Sequence, residues 1–251
     1  MWFFNTSPMI VNSKEGGWQI ISQRAHGLLA GEICFHWKNK RPFTRWFETI
    51  VAATEHDDVF NEFENGEVLL NENGGPVNFK MRSFEQEKCD RLMQHSLSKS
   101  QYIALLISHH IQFLYADSED KDGVKYCRTL KKQDKQWRDS LGIREDEVSD
   151  AYAIIEWCDA LSLLICQGLI QPENRKIEIS NGPDDICYQL HMPKENVLTV
   201  DPWPFMCDQF DIYFESRTIS QLKFDKEDEL RQMLLNTAPE IHCFKLISTE
   251  K

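Results

Sequence analysis

Four stretches of this chain carry apolar residues at helical spacing, and each sets a histidine or an aspartate into the apolar stripe itself. In residues 24–37, His26 heads the face formed by Leu29, Ala30, Ile33 and Trp37. The second stretch opens at Pro42 and Thr44. There Trp46, Ile50 and Ala53 lead to Asp57, while Thr49, Ala52 and Ala53 lead to His56. Residues 101–115 align Ile103, Ile107, His110 and Leu114, with His109 on the adjoining stripe of Tyr102, Leu106 and Phe113. Residues 150–168 are the most hydrophobic, and Asp159 interrupts the run of Tyr152, Ile155, Leu163 and Cys166. An unpaired carboxylate or imidazole on a buried helix face costs on the order of several kcal/mol unless it is hydrogen-bonded, paired or bound to metal. One such residue is more often satisfied by the backbone. On four helices in succession, the same difficulty predicts a shared partner.

Imidazoles and carboxylates without thiolates suit a divalent ion with nitrogen and oxygen ligands (Mn, Fe, Ni, Co, Zn or Mg, one or two ions) rather than a structural cysteine zinc site. The eight cysteines, at positions 34, 89, 127, 158, 166, 187, 207 and 243, contain no CxxC pair and several fall in apolar helical patterns. They predict free thiols in a reducing cytoplasm. A net charge of -12 repels a phosphate backbone, so nucleic acid is not an expected partner, whereas a small anionic substrate in a locally favourable cleft is. No stretch reaches the roughly 18 apolar residues of a membrane span, and residues 1–11 lack the basic start of a signal peptide, so no membrane partner is expected.

Around these helices, short β-type runs at 9–11 and 18–22 flank turn-forming residues, predicting an N-terminal hairpin. Residues 61–79, with Asn73-Gly74-Gly75-Pro76, predict a long ordered loop, and 84–94 a weak helix. The stretch 118–144 carries Lys121, Lys125, Arg128, Lys131, Lys132, Lys135 and Arg138, and reads as a solvated charged face or as a mobile lid helix. Beyond Pro172 the pattern changes to strands at 177–179, 186–191, 197–200 and 210–219, a helix at 226–236 and a strand at 241–247. The expected fold is α+β, mainly α. A helical core with its hairpin occupies 1–172, and an antiparallel β-rich module, 173–251, packs on it. The turn Asp201-Pro202-Trp203-Pro204-Phe205 reads as a packing clamp between them, ahead of a ligand-contacting element.

The order His, His-Asp, His, Asp over about residues 22–166 resembles the HD-domain superfamily of metal-dependent phosphohydrolases. That resemblance implies His26, His56, Asp57 and Asp159 as ligands, with His110 as an additional one and His109 as its alternative. The segments GWQIISQRAHGLLAGEI, AATEHDDVF, GPVNF, YIALLISHHIQFLY and VDPWPF are similar to a bacterial domain-of-unknown-function family, number 3891, over nearly the whole chain. This second resemblance implies an architecture and a site without a substrate. Where that family usually has Gly-Trp after the HDD step, this chain has Val59-Phe60, so part of the pocket wall differs.

The leading expectation is a metal-dependent hydrolase of a small phosphoester or other anionic ester. Asp58 is a candidate general base or a support for a ligand histidine, and equally reads as a solvent-exposed acid. Arg24 and Arg82 are candidates for contact with a substrate phosphate, and equally read as surface charges. A two-iron HD-type oxygenase and a non-enzymatic binding or scaffold protein are the alternatives. The absence of a Gly-rich phosphate loop, a GxSxG elbow or an HExxH helix removes the usual support for nucleotide-switch, serine-hydrolase and zincin readings.

Overall fold

The computed structural model describes residues 9–38, 45–59, 61–81 and 83–249, the side chain of Asp184 excepted. Pro42, Thr44, Phe60 and Arg82, which entered the expectations above, lie outside them. The described residues form a mixed α/β structure with seven α-helices and one seven-stranded sheet.

Strands β1 (Met9–Lys14) and β2 (Gly17–Ser22) form the expected hairpin, in the register Met9 to Ser22 and Ile10 to Ile21. Gly16, at φ +74°, makes the turn between them. Ser22 ends β2 and begins helix α1 (Gln23–His36), its side chain accepting the Ala25 amide at 3.0 Å. Helix α2 (Trp46–Glu55) follows, then the ordered loop, which holds a short 3₁₀ turn at Phe79–Met81. Helix α3 (Gln86–Lys99) runs further than 84–94 because Ser100 both ends it and caps α4 (Gln101–Tyr115), accepting the Tyr102 amide at 3.1 Å.

The charged stretch is helix α5 (Lys121–Leu141). Asp120 caps its start and left-handed Gly142 ends it, and its buried residues Cys127, Leu130 and Asp134 lie on the side that packs on α4. Helix α6 (Glu145–Cys166) begins five residues ahead of the apolar pattern. Glu145, Asp146 and Glu147 in its first turn suit the positive end of the helix dipole, which an apolar count does not register.

Strands β3 (Ile177–Asn181), β4 (Cys187–Lys194), β5 (Val197–Asp201), β6 (Gln209–Ile219) and β7 (Glu240–Ile247), with helix α7 (Glu227–Asn236) before β7, complete the chain. The sheet order is β1-β2-β6-β7-β5-β4-β3. Two features depart from expectation. The hairpin is continuous with the C-terminal strands through β2 and β6, and β5 pairs with β7 in parallel. The parallel pair is possible because β6 and α7 lie between β5 and β7 in the chain and supply a long crossover.

One face of β6 (Phe210, Ile212, Phe214 and Ser216) is buried, and α1 packs against this strand. The Asp-Pro-Trp-Pro-Phe turn clamps the end of α1: the Lys38 amide donates to Pro204 O at 2.7 Å and the Met206 amide to His36 O at 2.9 Å. Phe205 packs edge-on to Phe210, Trp157 and Trp37, which makes the turn a packing element. No disulfide links the eight cysteines, all of which lie among the described residues. Among the described residues no helix is long and apolar enough to cross a membrane.

Candidate metal centre

Close approach of α1 and α2 creates the site. A Cβ on Gly27 would stand 2.4 Å from Thr54 O, and one on Gly31 would stand 1.9 Å from Thr54 Oγ1. Two glycines four residues apart thus leave a groove along α1 into which the end of α2 settles, bringing His56 against His26. Helices α4 and α6 close the other sides and carry His110 and Asp159.

His26 and His56 are fully buried, and Asp57, His110 and Asp159 nearly so. Nε2 of His26 lies 3.2 Å from Nε2 of His56 and 3.0 Å from Asp159 Oδ1, and the third edge, His56 Nε2 to Asp159 Oδ1, is 3.4 Å. Asp57 Oδ2 is 3.9 Å from His56 Nε2, and Asp57 Oδ1 is 3.8 Å from His110 Nε2. These five residues form two overlapping groups that can hold a metal ion, His26-His56-Asp57 and His56-His110-Asp159.

The second nitrogen of each ring is already engaged. His56 Nδ1 donates to Ala53 O at 2.7 Å. Ser162 Oγ donates to Asp159 O at 2.9 Å, so its oxygen accepts from His26 Nδ1 at 2.7 Å. His110 Nδ1 meets the Tyr152 hydroxyl at 3.3 Å. The inward Nε2 atoms of His26 and His56 therefore both present lone pairs, at a separation that only a proton or a cation between them makes favourable. Nε2 of His110 and Oδ1 of Asp159 are buried without a well-formed hydrogen bond. Donors bonded to one ion at about 2.0–2.2 Å stand roughly 3.0–3.5 Å from one another, and the three shortest separations here fall in that range. The residues fit a divalent ion.

Without an ion, the electrostatics show the same demand for positive charge. Burial lowers the basicity of His26. Burial also acts against protonation of His56, but the carboxylates of Asp159 and Asp57 outweigh it and hold this ring up at about 9. Burial would raise Asp159, yet the two histidines keep it well below the usual carboxylate range.

Arg24 and Asp58 lie apart from this cluster, half-exposed and joined to each other by an ion pair of 2.7 Å. His109 belongs to neither group; its ring lies 5.8 Å from that of Tyr152, with Asp134 nearby in charge. The sequence reading gave Tyr152 only as part of an apolar stripe and did not single out Ser162, although Ser162 stands one turn after Asp159 on α6, at the spacing where two side chains share a face. A narrow cavity adjoins the cluster. Asp57 and His110 form one wall, and Ser83, Glu85, Lys88, Leu92 and Leu114 are among the residues lining the rest.

The sequence profile of a family described as "Protein of unknown function (DUF3891)" matches residues 9–221. The chain belongs to this family. The DUF3891 match spans β1 to the end of β6 and includes all five clustered residues, while α7 and β7 lie beyond it. No curated protein and no solved structure matches the chain.

Proposed function

We propose that this protein is a metal-dependent hydrolase of a small phosphoester or other anionic ester, holding one divalent ion with His26, His56, Asp57 and Asp159 and with His110 at its edge. The reading is carried by the convergence of His26 Nε2, His56 Nε2 and Asp159 Oδ1 at 3.0–3.4 Å while both outer ring nitrogens are engaged elsewhere. The HD-type order of the residues along the chain supports it further. His56 belongs to both metal-holding groups but has one nitrogen left, so the described residues favour one ion over the two of an oxidative di-iron centre.

A divalent ion bound there would supply a water of lowered pKa and polarise the ester oxygen. His26 and His56 orient the donor set from the dry side. Asp57 and His110 border the cavity, which puts both on the substrate side of the ion. Asp58 is held by Arg24, and neither lines the cavity, so both act outside the reacting set.

Elemental analysis of purified protein, paired with a screen of phosphomonoesters, phosphodiesters and carboxylic esters, tests the proposal. About one equivalent of metal is expected, lost in Asp57→Ala and Asp159→Ala and retained in Asp58→Ala, with hydrolysis following the metal. Equal metal content in all four proteins would sink it.

A further inference from the structure

Helices α3 and α5 both pack on α4 but barely on each other. The Tyr126 hydroxyl donates to Asp90 Oδ1 at 2.8 Å, and from that bridge a groove follows the two helices toward Leu97 and Trp137, with ≈ 430 Å³ open to water. Met93 and Leu97 of α3 and Leu130 and Trp137 of α5 make its floor and sides apolar. Met93 and Leu130 are buried, Trp137 is half-buried and Leu97 is exposed.

Beside this groove α5 carries a second stripe. Lys121, Lys125, Arg128, Lys132 and Lys135 follow one another at alternating steps of four and three, all are exposed, and Lys125 itself lines the groove. On a chain of net charge -12, positive charge is thus gathered along one rim of an apolar groove. The two features ask different things of a partner, and one amphipathic helix meets both: its apolar stripe covers the floor and carboxylates beside that stripe face the lysines. From Asp122 to Trp137 the α5 wall is about 22 Å long, the length of about four turns of a partner helix. A bilayer is too flat to reach Met93 and Leu130 between the helices, and a phosphate backbone would meet Asp90 and Asp122, which also line the groove.

We infer that the α3–α5 groove docks an acidic amphipathic helix of a partner protein, its apolar stripe on Met93, Leu97, Leu130 and Trp137 and its carboxylates on Lys121, Lys125 and Lys132. The inference does not depend on the metal-centre reading.

The test uses the full chain and a fluorescent peptide of about four helical turns, with leucines along one face and glutamates flanking them. A second peptide has the same residues in an order that breaks the stripe, and phosphatidylserine vesicles and duplex DNA represent other anionic partners. Fluorescence anisotropy is expected to show saturable binding of the striped peptide, about tenfold or more tighter than the scrambled one, because only the striped peptide buries its leucines. Lys125→Glu with Lys132→Glu exchanges attraction for repulsion at two places and should weaken binding about tenfold. The same change in net charge on the sheet, Lys14→Glu with Lys194→Glu, should leave it unaltered. Leu97→Glu should weaken it about tenfold through loss of apolar burial. All five substituted positions are exposed, so the variants are expected to keep the helix content of the parent in circular dichroism. No binding of the striped peptide, equal binding of the two peptides, tighter binding of vesicles or DNA, or equal weakening by the two lysine pairs would each overturn the inference. The comparison of peptides on the unaltered protein decides the matter if a variant does not fold.

Discussion

Ser162 decides which nitrogen of His26 carries the proton. Its hydroxyl hydrogen is committed to Asp159 O, so its oxygen accepts from His26 Nδ1 and leaves Nε2 bare toward His56 and Asp159. Loss of such a supporting hydrogen bond costs about 10–100-fold in metal affinity. Ser162→Ala is therefore expected to weaken metal binding at least tenfold in a competition titration, with Ser162→Thr restoring most of it; equal affinities would remove the role assigned to Ser162. His56 yields a pH prediction. Its folded value of about 9 lies above the ordinary 6.5, so in metal-free protein its stabilising contribution is full below pH 6.5 and is lost as pH rises through about 9. Metal must displace that proton, so affinity should rise about tenfold per pH unit between 7 and 9 and level off above. Calorimetry in buffers of different ionisation enthalpy should find close to one proton released per ion near neutrality. No proton release would show that the metal-free ring is already neutral.

Packing of α1 on α2 is where helix propensity and site geometry oppose each other. Alanine in a helix interior is favoured over glycine by about 1 kcal/mol, whereas overpacking a tight interface costs about 1–3 kcal/mol. At Gly27 the obstruction is the backbone carbonyl of Thr54, which cannot rotate away as a side chain can, so the clash wins. Gly27→Ala should lower the melting temperature and also reduce metal content, although every metal-binding residue is intact. A more stable protein with full metal would refute the role of this contact. The helices themselves were readable because each buries a continuous stripe: α4 spans Gln101–Tyr115, the residues its periodicity predicts. The early start of α6 and the extension of α3 were not, since those segments hold together through capping and charge rather than apolar spacing. The alternatives His109 and His110 adjoin each other in sequence on one amphipathic helix, and only the position of α2 turns His110 toward His56, with ring centroids 4.8 Å apart.

Across the whole molecule, α7 reaches back to the loop that borders the cavity. Glu227 accepts the Leu69 amide at 2.6 Å and the Leu70 amide at 3.4 Å, and buried Arg231 donates to Glu67 O at 3.3 Å. Glu67 in turn holds Lys88, so an element outside the DUF3891 match helps position a cavity residue. Hydrogen bonds to a charged group contribute about 1.5–3 kcal/mol. Glu227→Ala is accordingly expected to speed amide exchange at Leu69 and Leu70 at least tenfold while leaving the centre of α4 protected; unchanged exchange would show that the loop holds itself. Ser216 and His242 meet at 2.7 Å on neighbouring strands, joined by Gln19 of β2, which shows how thoroughly the hairpin and the C-terminal strands share one sheet. By itself the sequence determined the order and type of the elements, the turn that clamps α1 and the set of polar residues buried on apolar stripes, because these follow from spacing along a chain of known geometry. Only the tertiary structure decided that the hairpin joins the far end of the sheet, that Asp58 turns to Arg24 while Asp57 turns inward, and that Lys88 rather than the basic stretch of α5 borders the cavity. Those outcomes depend on contacts between residues distant in the chain, such as Thr54 O seated over Gly27, for which no local pattern carries a signal.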